Sequence, residues 1–327
     1  MKTLVTGGAG FIGCHLAEAL LRRGDQVQVI DNLSTGSRDN ISHLLENPRF
    51  EFVFGDIMDR ELMGDLTDGV DVVYHFAAAV GVKHIMENPL ECIRCNVHGT
   101  ESVLEAATRS GCKVLLASTS EVYGKNSDIP SREGTGTVMG ATTTVRWSYA
   151  CAKALNEFMA LAYARDRQLS VIIARLFNVC GPRQTGRYGM VVPRFVRNAL
   201  LGEALEVYGD GTQSRCFAYV GDVTAAAISL VNAKDTSGQI FNIGSTVEVT
   251  IRDLARRVLR LTNSSSELKS VPYHVAYGAG FEDMPRRVPD TSKIQQWIDW
   301  HPKVGLDELL EIVIAHEMAA LQPEHCQ

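Results

Sequence analysis

Nowhere in the 327 residues does an apolar run approach the ~18 residues of a membrane span. The chain opens on a short strand-like run rather than on a charged-then-apolar leader. Neither a bilayer-spanning protein nor a signal-led one is therefore expected. An excess of base is missing too: 32 Lys and Arg stand against 38 Asp and Glu, a net charge of −6. That balance offers no footprint for nucleic acid and no polybasic patch for a membrane surface. Metal-ligand spacing is also lacking. The eight cysteines (14, 92, 95, 112, 151, 180, 216 and 326) are scattered, and no second pair or His cluster completes the C-x-x-C of Cys92 and Cys95. They read as buried, reduced, small hydrophobes of a cytoplasmic protein, with no metal. Internal repeats and low-complexity linkers are absent. What is present, 45% hydrophobic and 21% charged residues, has room for one large α/β domain and a smaller one.

The richest local pattern is at residues 2–13, KTLVTGGAGFIG. Thr3, Leu4 and Val5 suit a buried parallel strand, Gly7, Gly8, Gly10 and Gly13 follow, and a helical pattern starts at once. In such a turn one glycine permits the reversal, one lets the backbone approach a pyrophosphate, and one lets helix and strand pack closely. The helix start, with Phe11 and Ile12, offers free N–H groups and the positive end of its dipole. Residues 27–30 read as the next strand and end in Asp31, about 20 residues on, where an acid binds the adenosine ribose hydroxyls. An acid there repels a 2′-phosphate, so NAD is expected rather than NADP; a turn former before Asn32 is the plainer alternative.

Residues 50–54 form a third strand ending in Gly55-Asp56, where Asp56, with Ile57 beside it, can meet the adenine amino group; a simple turn is the alternative. Residues 70–76 form a fourth that runs into the small-residue loop from Ala77 to Gly81, against which a cofactor can lie. Residues 89–110 read as one amphipathic helix and 114–117 as a fifth strand, leading into Ser118-Thr119-Ser120-Glu121. Strands alternate with helices throughout, the pattern of a doubly wound parallel sheet. Residues 125–146 are polar and aperiodic, as in a lid or functional loop. A helix then begins near Trp147, residues 171–177 are a sixth strand, and 306–319 form an amphipathic cap. A domain change is expected near residue 179: a Rossmann-type NAD domain at 1–178 and a smaller α/β substrate domain at 179–327, with a return to the first around 215–245.

Tyr149 and Lys153 stand four apart on one helix and so share a face. A tyrosine with a pKa near 10 is a poor base at neutral pH; an ammonium one turn away favours the phenolate and can hold a ribose hydroxyl. Thr119, at a strand end, is the candidate to orient the substrate oxygen. The alternative, a packed tyrosine beside a solvated lysine, is disfavoured by the dinucleotide pattern upstream. So is a non-catalytic dinucleotide sensor, which would be expected to lack one of these three groups.

Taken together, TGGAGFIG, HFAA, STSEVYG, YACAK, LFNVCGPR, VYGDGTQSRCFAYVGDV and RRVPDTSK resemble the extended short-chain dehydrogenase/reductases that modify nucleotide sugars. The resemblance spans nearly the whole chain. It implies a tightly held NAD, reduced and reoxidised within one turnover, and a UDP-sugar substrate. It implies that Tyr149 takes the proton of sugar O4 while C4 gives up hydride, that Thr119 binds O4 and that Lys153 tunes the tyrosine. Asn178 would reach the diphosphate, and Arg287 and Arg194 would belong to that end, with Val192 beside them. It also implies a homodimer through helices near 96–110 and 149–165, using positions such as Ala152, Leu155, Phe158 and Met159; these suit an ordinary core equally.

The fate of the 4-keto intermediate divides that family. Dehydratases carry Asp-Glu after the threonine; Ser120-Glu121 here argues against dehydration. Thr119-Ser120-Glu121 with residues 146–149 (RWSY) and Arg215-Cys216-Phe217 resembles UDP-glucuronate decarboxylases, in which the glutamate and the R-C-F arginine act near the C6 carboxylate. Arg187, on a glycine-flanked loop, offers a second cation that could clamp that carboxylate and prevent loss of carbon dioxide. On that ground, and because epimerisation is the commoner outcome in the family, UDP-glucuronic acid 4-epimerase is the expected activity, although Glu121 points the other way; UDP-glucuronate decarboxylase and UDP-glucose 4-epimerase are the alternatives.

Overall fold

The computed structural model describes residues 1–187, 189–277 and 282–321. Tyr188 of the glycine-flanked loop, and the tail from Gln322 on with Cys326, lie outside the described residues. Strand and helix alternate from the start: β1 (Lys2–Thr6), α1 (Phe11–Arg23), β2 (Gln26–Asp31), β3 (Phe50–Phe54), α2 (Arg60–Thr67), β4 (Val72–His75), α3 (Val82–Glu87), α4 (Pro89–Arg94), α5 (Thr100–Ser110), β5 (Lys113–Thr119), α6 (Ser148–Arg167) and β6 (Val171–Leu176). The remainder holds β7 (Val179–Cys180), α7 (Val191–Leu201), β8 (Leu205–Tyr208), β9 (Ser214–Cys216), β10 (Ala218–Tyr219), α8 (Val220–Asn232), β11 (Gln239–Ile243), β12 (Glu248–Thr250), α9 (Ile251–Leu261), β13 (Leu268–Val271), α10 (Tyr273–Tyr277), β14 (Arg286–Arg287), α11 (Ser292–Ile298) and α12 (Leu306–Leu321).

Seven strands pair in parallel in the order β11-β6-β5-β4-β1-β2-β3. This is the doubly wound sheet that the alternation predicts, and its central strands are Val/Ile/Leu-rich because both faces are covered. One face buries Leu16, Leu20, Val223 and Leu230 of α1 and α8; the other buries Met63, Val103, Leu104 and Ala160 of α2, α5 and α6. The strand order reverses between β1 and β4, where a ligand crevice forms in open sheets. The chain also returns after residue 179: β11 is an edge strand of this sheet, and α8 packs on α1. A separate core of Phe195, Val207, Leu254 and Leu310 joins α7, β8, α9 and α12.

Residues 89–110 do not form one regular helix. A π-helical turn, Cys95–Gly99, separates α4 from α5. The reason is polar: the buried Asn156 amide of α6 donates to the Asn96 carbonyl at 2.9 Å, and Asn96 Nδ2 donates to Ala79 O at 3.0 Å. The aperiodic loop 125–146 is held against residues 282–290. Lys125 Nζ and Trp147 Nε1 each reach Glu282 at 3.0 Å, and Arg132 reaches Asp290 at 3.0 Å. Among the described residues, no helix is long and apolar enough to cross a membrane.

Candidate active site

Two adjoining cavities lie at the C-terminal ends of the sheet strands, of about 330 and 200 Å³. The larger runs along the glycine turn. Gly7 sits at φ +70, and a Cβ on it would lie 2.7 Å from Ala77 N; a Cβ on Gly13 would lie 2.1 Å from Gly7 O. Only glycine lets the turn close this tightly and brings α1 against it. Gly10 caps α1 with no side-chain bond, so the first N–H groups of that helix face the cavity edge without a side-chain cap. Asp31 Oδ2 accepts from Ala9 N at 3.0 Å and Oδ1 from Leu33 N at 2.8 Å, which fixes its carboxylate at the end of β2; burial pushes its pKa up. Asn32 Nδ2 donates to Asp56 at 3.0 Å, tying the ends of β2 and β3 together.

Every residue that the sequence nominates for the cofactor, except Lys153, lines this larger cavity: Gly7, Gly10, Phe11, Ile12 and Gly13 of the turn, with Asp31, Asn32, Asp56, Ile57 and Ala77. A glycine cradle, an uncapped helix start and a ribose-directed acid fit a dinucleotide such as NAD. Lys153 lies beneath the wall instead. It is buried and its Nζ donates to Ala117 O at 3.0 Å; burial lowers its pKa to about 8.

Tyr149 and Glu121 line both cavities, as do Asn178, Gln184 and Arg287, so the chemistry-bearing groups meet where the two spaces join. Thr119 Oγ1 accepts from Glu121 N at 3.2 Å, and Thr119 lines the larger cavity with Tyr149. Burial and the Glu121 carboxylate push the Tyr149 pKa up, while Thr119, Arg146 and Arg287 pull it down. Glu121 is gripped from two sides: Arg146 Nη1 and Nη2 reach its two oxygens at 2.5 and 2.8 Å, and Arg287 Nη1 reaches Oε1 at 3.2 Å. Burial alone would raise its pKa, but the three arginines Arg146, Arg287 and Arg215 lower it to about 2. Ser120 is buried beside it and lines the larger cavity.

The smaller cavity takes Asn178, Val192, Arg194, Arg215 and Arg287 into its lining. Asn178 Nδ2 donates to Cys216 O at 2.9 Å, Arg215 pairs with Asp283 at 2.9 Å, and the Arg194 guanidinium lies 4.1 Å from the centre of the Tyr208 ring. Arg287 sits on Glu121 and lines both cavities, because β14 pairs with β9 and carries it there. Arg187 is exposed on its loop and is not among the residues lining either cavity. Sequence reasoning missed Arg146 as a site residue. The RWSY resemblance names it without a role, and nothing in one sequence says that it is buried.

The model of the NAD dependent epimerase/dehydratase family matches residues 3–244. A UDP-N-acetyl-alpha-D-glucosaminuronate decarboxylase of Bacillus cytotoxicus is 44% identical over 96% of this chain and 96% of its own. UDP-glucuronic acid decarboxylase 1 of Arabidopsis thaliana is 37% identical over 96% of this chain and 69% of its own. The crystal structure of a Thermotoga maritima UDP-glucose 4-epimerase with UDP-glucose superposes with a TM-score of 0.88 at 30% identity, covering 98% of this chain and 100% of that one. NAD is the cofactor that goes with this fold and this cavity. By sequence, fold and cofactor site alike, the chain belongs to the NAD dependent epimerase/dehydratase family of nucleotide-sugar enzymes.

Proposed function

We propose that the protein decarboxylates a UDP-hexuronic acid through a 4-keto intermediate. The observation that carries this is the charge around Glu121. Among the described residues the carboxylates paired with Arg146, Arg215 and Arg287 are Glu121 and Asp283, which leaves one positive charge in excess beside Tyr149. Arg287 Nε is buried with no hydrogen-bond partner among the described residues. Beyond the diphosphate common to every UDP-sugar, a neutral hexose brings no negative charge to the Tyr149 end, whereas a C6 carboxylate does. The case for 4-epimerisation leaned on Arg187 as an added clamp, and Arg187 lies outside the cavity linings. Two decarboxylases among the relatives weigh on the same side.

NAD, when bound, accepts a hydride from C4 and later returns it. Tyr149 takes the O4 proton, and Thr119, which lines the same cavity, holds O4 in reach. The 4-keto uronate is a β-keto acid. Its C5–C6 bond breaks, carbon dioxide leaves, and the bonding pair passes into the C4 carbonyl as an enolate that Tyr149 and Thr119 stabilise at O4. C5 then takes up a proton from water, and Tyr149 gives its proton back to O4 as C4 is reduced again. The excess guanidinium charge orients the carboxylate so that C5–C6 stands out of the carbonyl plane.

Proton NMR after incubation with UDP-glucuronic acid, and separately with its 2-acetamido counterpart, without added NAD, tests this. A UDP-pentose with carbon dioxide from either substrate is the expected result, and the better substrate assigns the C2 group. UDP-galacturonic acid would establish the 4-epimerase instead. Interconversion of UDP-glucose and UDP-galactose with inert uronates would remove the uronate altogether.

A further inference from the structure

Between β7 and α7 the chain passes through Gly181, Pro182, Arg183, Gln184 and Thr185. Gln184 lines both cavities and Thr185 the larger one, so this loop is part of the wall that the two spaces share. No step of the chemistry above uses Arg183, yet it is the most constrained residue of the loop. Its φ is +66, a left-handed conformation that a non-glycine residue adopts only at a cost. Its side chain turns away from the cavities and onto α1. Nη1 donates to Glu18 Oε1 at 2.5 Å and to Asn40 O at 3.0 Å, and Nη2 lies 2.9 Å from His15 Nδ1.

His15 closes the arrangement. Its Nε2 lies 2.9 Å from Pro182 O, and a carbonyl can only accept, so Nε2 carries the proton and Nδ1 accepts from Arg183. The ring is thereby held neutral in one tautomer; burial lowers its pKa, and the Arg183 charge acts the same way. Glu18 is shared with His43, whose Nε2 lies 2.7 Å from Oε1. On the other side the His15 ring meets Phe11 edge-on with centroids 5.8 Å apart, and Phe11 lines the larger cavity. A continuous set of contacts thus links the cofactor end of α1 to the Gln184–Thr185 wall.

We propose that His15, Glu18 and Arg183 form a clamp that docks the loop of residues 181–185 on α1 and so sets the wall common to the cofactor and sugar cavities. They are positioning residues: they govern how well both ligands are held and take no part in the chemistry. The sugar half of this rests on the proposed function above; the NAD half stands without it.

The test uses the full chain with Arg183→Met, His15→Leu and His15→Gln, each checked by circular dichroism. NAD affinity is measured by calorimetry, and kcat and KM with whichever nucleotide sugar the parent turns over. Arg183→Met and His15→Leu are expected to weaken NAD about tenfold and to raise KM by a similar factor, with kcat within about twofold. His15→Gln, whose amide can donate to Pro182 O and accept from Arg183, should keep parental values. Unchanged NAD affinity and KM in both disruptive variants would overturn the clamp, as would a His15→Gln variant as impaired as His15→Leu. Should Arg183→Met fail to fold, the His15 pair decides. Should the parent turn over no uronate, the proposed function falls and the NAD measurements still judge the clamp.

Discussion

Glu121 keeps its negative charge throughout the working range of any neutral-pH enzyme, because Arg146 and Arg287 hold its pKa at about 2. It therefore has no proton to give at pH 7, and an acid limb in the rate profile cannot be its titration. Replacing it by Gln should leave that limb where it is while lowering kcat/KM about 100-fold, since Arg287 loses the partner that aims it. The same shift is a stability statement. A carboxyl whose folded pKa lies below its ordinary value of 4.5 stabilises the protein above that value, and the contribution is lost as pH falls toward about 2. The shift corresponds to about 3 kcal/mol. Urea unfolding at pH 7 and pH 3 should show Glu121→Gln less stable than the parent at pH 7 and closer to it at pH 3. Tyr149→Phe removes the phenol that lines both cavities and should cut turnover by about 10²–10⁴-fold with NAD still bound, as product NMR and nucleotide analysis would show. That Tyr149 and Lys153 share a face was legible because they stand four apart on one helix; that Lys153 Nζ turns to Ala117 O was not. The grip on Glu121 was not: its partners are 25 and 166 residues away, and only the β14–β9 pairing brings Arg287 there.

Local pattern reads elements well where one periodicity rules a whole segment. The glycine turn, the strands of the central sheet and the Tyr149 helix were all visible in this way. The break in residues 89–110 was not, since an Asn156 amide reaching across from α6 widens the turn at Cys95–Gly99 and leaves no trace in local periodicity. Nor could periodicity show that β11 joins the edge of the sheet beside β6, a matter of tertiary pairing alone. The glycine turn gives the sharpest element-level prediction. A methyl on Gly13 would stand 2.1 Å from the Gly7 carbonyl, a backbone atom that no rotamer can move aside. Gly13→Ala should push α1 off the turn, lower stability by about 1–3 kcal/mol and abolish NAD retention. Thermal melting with assay of bound nucleotide would check both, and retained NAD in the variant would mean that the turn is softer than its contacts imply.

At the scale of the whole molecule, the unexplained surface is apolar and lies on two adjacent helices. Leu155 and Phe158 of α6 are 45% and 73% exposed, and Leu90 and Ile93 of α4 are 61% and 40% exposed. The two helices pack together, so these side chains belong to one side of the fold. Ala152 is buried and Met159 packs into the core, so of the four positions singled out in the sequence only Leu155 and Phe158 face outward. On α5 the outward positions are polar, which shifts the expected contact from α5 toward α4. A large exposed phenylalanine beside further apolar side chains is costly in a monomer and suits a self-complementary contact about a two-fold axis. We infer a homodimer built on α4 and α6. Because α6 also carries Tyr149 and Lys153, the partner would stiffen the helix that bears the base. Light scattering should report two chains per particle for the parent and one for the double variant Leu155→Glu, Phe158→Glu. The variant should bind NAD normally, since neither residue lines the cofactor cavity, and lose part of its kcat through a looser α6. A parent of single-chain mass would leave Phe158 exposed in solution and require another partner for this face.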